Sequence, residues 1–101
     1  MEQTERIKQM ELLFDRASQA VMELSAAIDK YVEAQESIKK LKAYYASDAW
    51  RQDYADDEAG RLPKELKRGV LSEDGVWNML SDSHELNIRV QGIIAEILSQ
   101  E

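Results

Sequence analysis

The sequence predicts an all-α protein: two long antiparallel amphipathic helices joined by a folded connector of short helices. Three observations carry that prediction. Apolar residues recur at alternating spacings of three and four toward both ends of the chain. Helix breakers are scarce, with four Gly and one Pro in 101 residues. No segment sustains the period-two alternation of a half-buried strand. A chain of this length holds one hydrophobic core, so residues 1–101 read as a single domain.

The first helix carries a heptad seam through Ile7, Met10, Phe14, Ala17, Val21, Leu24, Ile28 and Tyr31, continuing at Ile38 and Tyr45. A second row, Leu13, Ala20, Ala27, Ala34 and Leu41, widens the apolar face enough to meet two neighbours. Neither Gly nor Pro falls between Glu5 and Tyr45, and Lys39, Lys40 and Lys42 complement the negative pole of the helix dipole. Such a helix of ~40 residues is ~60 Å long. Gln35 and Lys42 interrupt the seam and mark either a register-setting polar site or, the preferred reading, the point where the helix leaves the core.

The connector from Tyr44 to Trp77 is not built like a plain linker, which would be rich in Gly and Ser or in Pro. It contains Tyr44, Tyr45, Trp50, Tyr54 and Trp77, an acidic run and a basic run, so it should fold and stay rigid. Ser47 before Asp48 signals a helix start and Gly60 a left-handed stop, giving a short helix from Asp48 to about Ala59. Pro63 suits a first helical position and Gly69 a terminus, which predicts one or two further turns. Leu62, Leu66, Val70 and Leu71 are spaced to anchor the connector, whereas Asp57, Glu58, Lys67 and Arg68 should stay wet. Ser72, Glu73 and Asp74 then announce the last helix. Its seam is Val76, Met79, Ser83, Leu86, Val90, Ile93 and Ile97, and Gly75 and Gly92 each weaken it by ~1 kcal/mol relative to alanine.

From Tyr44 to Leu80, YYASDAWRQDYADDEAG followed by RLPKELKRGVLSEDGVW resembles a bacterial family of small acidic helical proteins. That family is catalogued as a domain of unknown function numbered forty-two ninety-eight. The likeness runs over nearly the whole chain and is sharpest in this stretch. It implies an all-helical fold and brings no activity, cofactor or catalytic residue. Gly75 stands where a helix former is expected.

A formal charge of -7 and a pI near 4.7 argue against a general affinity for nucleic acid or anionic membrane. Cysteine is absent, which removes thiolate chemistry and a disulfide framework. The N-terminus lacks the apolar core of a signal peptide, and no stretch is apolar enough to span a bilayer, so the chain reads as cytoplasmic.

Trp50 and Tyr54 lie one helical turn apart, as do Asp53 and Asp57, which sets an aromatic ridge beside an acidic one. That pair of ridges either recognises a partner or caps the core. Asp53, Asp56, Asp57 and Glu58 lack the ligand spacing of a calcium loop, and no metal is predicted. Arg61, Lys64, Lys67 and Arg68 either pair with the acidic run or form an anion site. His84 has no recognisable nucleophile or orienting partner, so no catalytic residue and no cofactor are assigned.

The resulting expectation is a non-enzymatic helical protein-interaction module. An unknown protein partner would bind through Trp50, Asp53, Tyr54, Asp57, Lys67 and Arg68. The alternative is a small enzyme or ligand- or metal-binding protein using the connector acids and tyrosines. A homodimer is expected as well. The last helix, ~27 residues and ~40 Å long, is too short to cover the first, which leaves the stripe around Ile7, Met10, Leu13 and Phe14 in need of a partner.

Overall fold

The computed structural model describes residues 2–101. The chain is all-α, with two long amphipathic helices joined by a folded connector and no strand among the described residues. In chain order these are α1 (Gln3–Tyr45), α2 (Asp48–Glu58), a 3₁₀ turn (Gly69–Leu71) and α3 (Gly75–Ser99). By internal contacts the chain divides into two compact units, Met1–Ser37 and Ile38–Glu101.

The first unit contributes one element, the N-terminal part of α1. Its helix is reinforced along its own surface by Gln19 donating to Glu23 at 2.9 Å and by Lys8 beside Glu5 at 3.7 Å. Gln35, the polar break in the seam, donates its side-chain amide to the Tyr31 carbonyl at 3.1 Å and so bonds within its own helix. No residue of α1 is buried. Phe14 is 65% exposed and Val21 69%.

The second unit holds the end of α1, the connector and α3. Its core is small: Leu71 of the 3₁₀ turn and Val76 of α3 are buried, and Leu41, Trp50, Met79 and Leu80 are half-buried. The 3₁₀ turn packs against both α2 and α3, so three residues tie the connector to the last helix. Further along α3, Leu86, Val90, Ile93 and Ile97 are exposed.

Local chemistry explains where these elements begin and end. Ser47 is extended, and its hydroxyl accepts from the Trp50 amide at 3.2 Å while donating to the Tyr44 carbonyl at 2.5 Å, which closes α1 and opens α2. At the other end of α2 the Gly60 amide reaches the Asp57 carbonyl and the Arg61 amide reaches the Asp56 carbonyl. That is a Schellman closure, and it places Gly60 at φ +72°, where a side chain would be strained.

The segment after Gly60 departs from expectation. Instead of a short helix from Pro63 to Gly69, the chain makes a single turn, with the Leu66 amide on the Pro63 carbonyl at 3.2 Å, and Gly69 opens the 3₁₀ turn. The Arg68 guanidinium holds this turn. It donates to the carbonyls of Pro63 and Leu66, at 2.5 and 3.3 Å, alongside its pair with Asp57, and so braces the turn against α2. Of the four residues expected as anchors, Leu71 is buried and Leu62 half-buried, whereas Leu66 and Val70 are exposed.

Gly75 also finds its reason. A Cβ there would lie 2.4 Å from the Ser72 hydroxyl oxygen and 2.7 Å from the Gly69 carbonyl oxygen. The Ser72 hydroxyl donates to that same carbonyl and accepts from the Gly75 amide, both at 3.0 Å. The glycine is needed for a close approach of backbone to backbone at the start of α3.

Candidate functional site

The connector residues singled out by sequence come together, and most of them bond to one another. Tyr45, Trp50 and Tyr54 form a continuous aromatic row. Tyr45 meets Trp50 edge-on at 4.9 Å between centroids, and Trp50 stacks on Tyr54 at 5.2 Å. The indole N–H of Trp50 donates to the Val70 carbonyl at 2.8 Å, which joins α2 to the 3₁₀ turn.

Asp53, Asp56 and Asp57 each have a designated donor. Asp53 accepts from the Tyr44 hydroxyl at 2.6 Å, and Asp56 accepts from Gln52 and Arg61, both at 3.1 Å. Asp57 forms an ion pair with Arg68; the Asp57 side chain is 16% exposed and that of Arg68 37%. The two ion pairs are the internal match between acidic and basic runs that the sequence left open against an anion site. Asp57 and Arg68 are therefore not the fully wet pair expected from sequence. Arg68 reaches inward because its fork can serve a carboxylate and two carbonyls at once. Lys67 is exposed.

Glu73 is the residue that sequence reasoning missed. Its carboxylate accepts from the Tyr54 hydroxyl at 2.8 Å, and its backbone carbonyl accepts from the Tyr45 hydroxyl at 3.3 Å. In the sequence it is one more acid ahead of a helix, a place normally explained by the dipole alone. The hydrogen bond to Asp53, helped by burial, pushes the Tyr44 phenol up to about 12, and the bond to Glu73 does the same for Tyr54. Both phenols stay protonated through the neutral range.

An open cleft lies between Tyr54, Asp57, Glu58, Arg68 and Glu73, floored by Leu71 and Ser72. Tyr54 is donating to Glu73, and Asp57 is paired with Arg68, so the lining groups bond to each other across it. No group of three or more His, Asp or Glu side chains among the described residues is placed to hold a metal ion. No helix among the described residues is long and apolar enough to cross a membrane.

A family model described as Domain of unknown function (DUF4298) matches residues 7–92. The chain belongs to this family. No curated protein and no solved structure matches it. The DUF4298 match includes the whole aromatic row and its carboxylate partners, from Tyr44 to Glu73, together with most of α1 and α3. In this DUF4298 chain the connector is thus a bonded hub, in which Trp50, Asp53, Tyr54, Asp57 and Arg68 join α2 to the end of α1, to the 3₁₀ turn and to the segment leading into α3.

Proposed function

We propose that the chain is a non-enzymatic helical protein-interaction module whose partners include a second copy of itself. The supporting observation is the apolar stripe of the first unit. Ile7, Met10, Leu13, Phe14, Val21, Leu24 and Ile28 are each at least half exposed, and that unit offers no second element to cover them. Contiguous apolar surface of this kind marks association. The connector keeps its shape through internal bonds and offers a further protein partner the rim of its aromatic row, Trp50 and Tyr54, with exposed Leu66 and Lys67 nearby in the chain.

The rival reading, a small ligand-binding protein or enzyme, has the cleft beside Tyr54 and Glu73 in its favour. Light scattering at micromolar concentration, run beside a thermal-shift panel of metabolites and divalent cations, separates the two. The expected result is a mass of about twice 11.6 kDa with no stabilising small molecule. A monomer mass, together with marked stabilisation by one compound, would give the rival its case.

A further inference from the structure

We infer that an apolar cleft where the end of α1, the 3₁₀ turn and the start of α3 meet receives a bulky apolar side chain from an acidic segment of a partner protein. This rests on the reading of the chain as an interaction module. It adds a contact separate from the α1 stripe and the chemistry of the segment that fills it.

The cleft measures about 240 Å³ and is lined by Leu41, Gly69, Val70, Gly75, Val76 and Met79. None of these side chains is polar, whereas the cleft beside Tyr54 has walls that bond to each other across it. Val76 is buried and Val70 is 38% exposed, so the apolar lining runs from the small core out to the surface. A space of this kind suits one leucine, methionine or phenylalanine side chain, and a single well-seated anchor carries most of the energy of a small interface.

Gly69 helps to keep the cleft open. Among the described residues Gly60 alone has a positive φ, and at Gly75 an added Cβ would strike the Gly69 carbonyl. Neither reason holds at Gly69, where an added Cβ meets nothing within 4 Å. A glycine loosens the unfolded chain and so disfavours folding wherever the native backbone would accept a larger residue. The room left by its missing side chain is not used by the fold itself.

The charge around the cleft selects the partner. Leu41 stands between Lys40 and Lys42 on α1, and Lys67 is two residues before Gly69, within ~7 Å along the backbone. All three lysines are exposed, and among the described residues none of their ammonium groups has a partner. The arginines of the basic run are already committed, Arg61 to Asp56 and Arg68 to Asp57. The carboxylates nearest in the chain are Glu73, which is bonded to Tyr54, and Asp74. A chain of net charge -7 thus keeps unpaired positive charge around an apolar cleft. Three separate lysines, with the acidic α2 packed on the same 3₁₀ turn, release too few counterions to hold a polyanion. Carboxylates flanking an apolar anchor meet such lysines one at a time and orient the segment as it docks.

Amide NMR spectra of the isotope-labelled chain, titrated to millimolar concentration with the capped peptide Glu-Glu-Phe-Glu-Glu, test the inference. The expected result is saturable shifts centred on Leu41, Gly69, Val70, Val76 and Met79, with at most weak shifts from Glu-Glu-Ser-Glu-Glu or Lys-Lys-Phe-Lys-Lys. Gly69→Leu fills the cleft and should abolish binding, with circular dichroism as the check on folding. The Lys40→Glu, Lys67→Glu double variant should weaken binding about tenfold, and Lys40→Arg with Lys67→Arg should preserve it; these two decide the matter if Gly69→Leu does not fold. Binding that survives a folded Gly69→Leu, or that is as strong for the serine peptide, would overturn the inference. A preference for an oligonucleotide or for vesicles of anionic phospholipid over the phenylalanine peptide would overturn it as well. Absence of shifts at millimolar peptide would remove the cleft as a docking site, while a dimeric mass of the same sample by light scattering would leave self-association standing.

Discussion

At Tyr44 and Tyr54 the phenol is part of the connector's bonding, and its titration is linked to stability. Each hydroxyl donates to a carboxylate, which favours the protonated phenol in the folded chain and raises it from 10.0 to about 12. Between those values the unfolded chain has released protons that the folded chain still holds. The unfolded state therefore binds fewer protons, and stability falls as pH rises through that window. Urea unfolding should show a steeper alkaline loss for the wild-type chain than for the Tyr44→Phe, Tyr54→Phe double variant, whose rings keep their packing without the titrating group. Gly75 carries the second prediction at this scale. Alanine there gains ~1 kcal/mol of helix propensity but meets the Gly69 carbonyl at 2.7 Å, and overpacking of that kind costs about 1 to 3 kcal/mol. Gly75→Ala should lower stability. Gly92→Ala, with nothing within 4 Å of the added methyl, should raise it by about 1 kcal/mol. Equal effects at the two sites in denaturant melts would contradict the close-approach account.

Among the elements, the connector separates what sequence could supply from what it could not. Ser47, Gly60 and Ser72 state helix boundaries through chemistry confined to three or four neighbouring residues, and α2 and α3 begin where these residues indicate. The stretch from Pro63 to Gly69 departs from its local propensity, and it is braced by Arg68, whose acceptors lie on residues 57, 63 and 66. Local propensity contains no such term. The aromatic row was legible as a cluster, since Trp50 and Tyr54 share a helix face, but Glu73 and the Val70 carbonyl become partners only once the chain has turned back. Lys67 and Arg68, equivalent by composition, now have different expectations. Arg68→Ala removes a charge-assisted pair and two backbone contacts and should cost about 2 kcal/mol, whereas Lys67→Ala should stay within about 0.5 kcal/mol. Hydrogen exchange gives a second readout, with amides around Leu66 losing protection in the arginine variant only.

For the molecule as a whole, an α1 stripe that relies on another chain makes stability a function of concentration. Ligand binding to the folded state raises apparent stability by mass action, and here the ligand is the protein itself. Thermal melting followed by helical circular dichroism should move to higher temperature as the chain is concentrated, and Phe14→Asp, which places a charge in the stripe, should abolish the shift. A melting point independent of concentration would argue against self-association. The connector has a kinetic consequence of its own. Its fixing bonds join residues only 9 to 28 positions apart, from Tyr44 with Asp53 to Tyr45 with Glu73. The loops to be closed are short, their entropic cost rises only slowly with length, and the long helices can form from local contacts. Stopped-flow refolding should therefore begin with a rapid, concentration-independent phase that docks the tyrosines and Trp50, visible as a change in indole fluorescence. Any slower phase should be second order in protein, because the search that remains is the diffusion of one molecule to another.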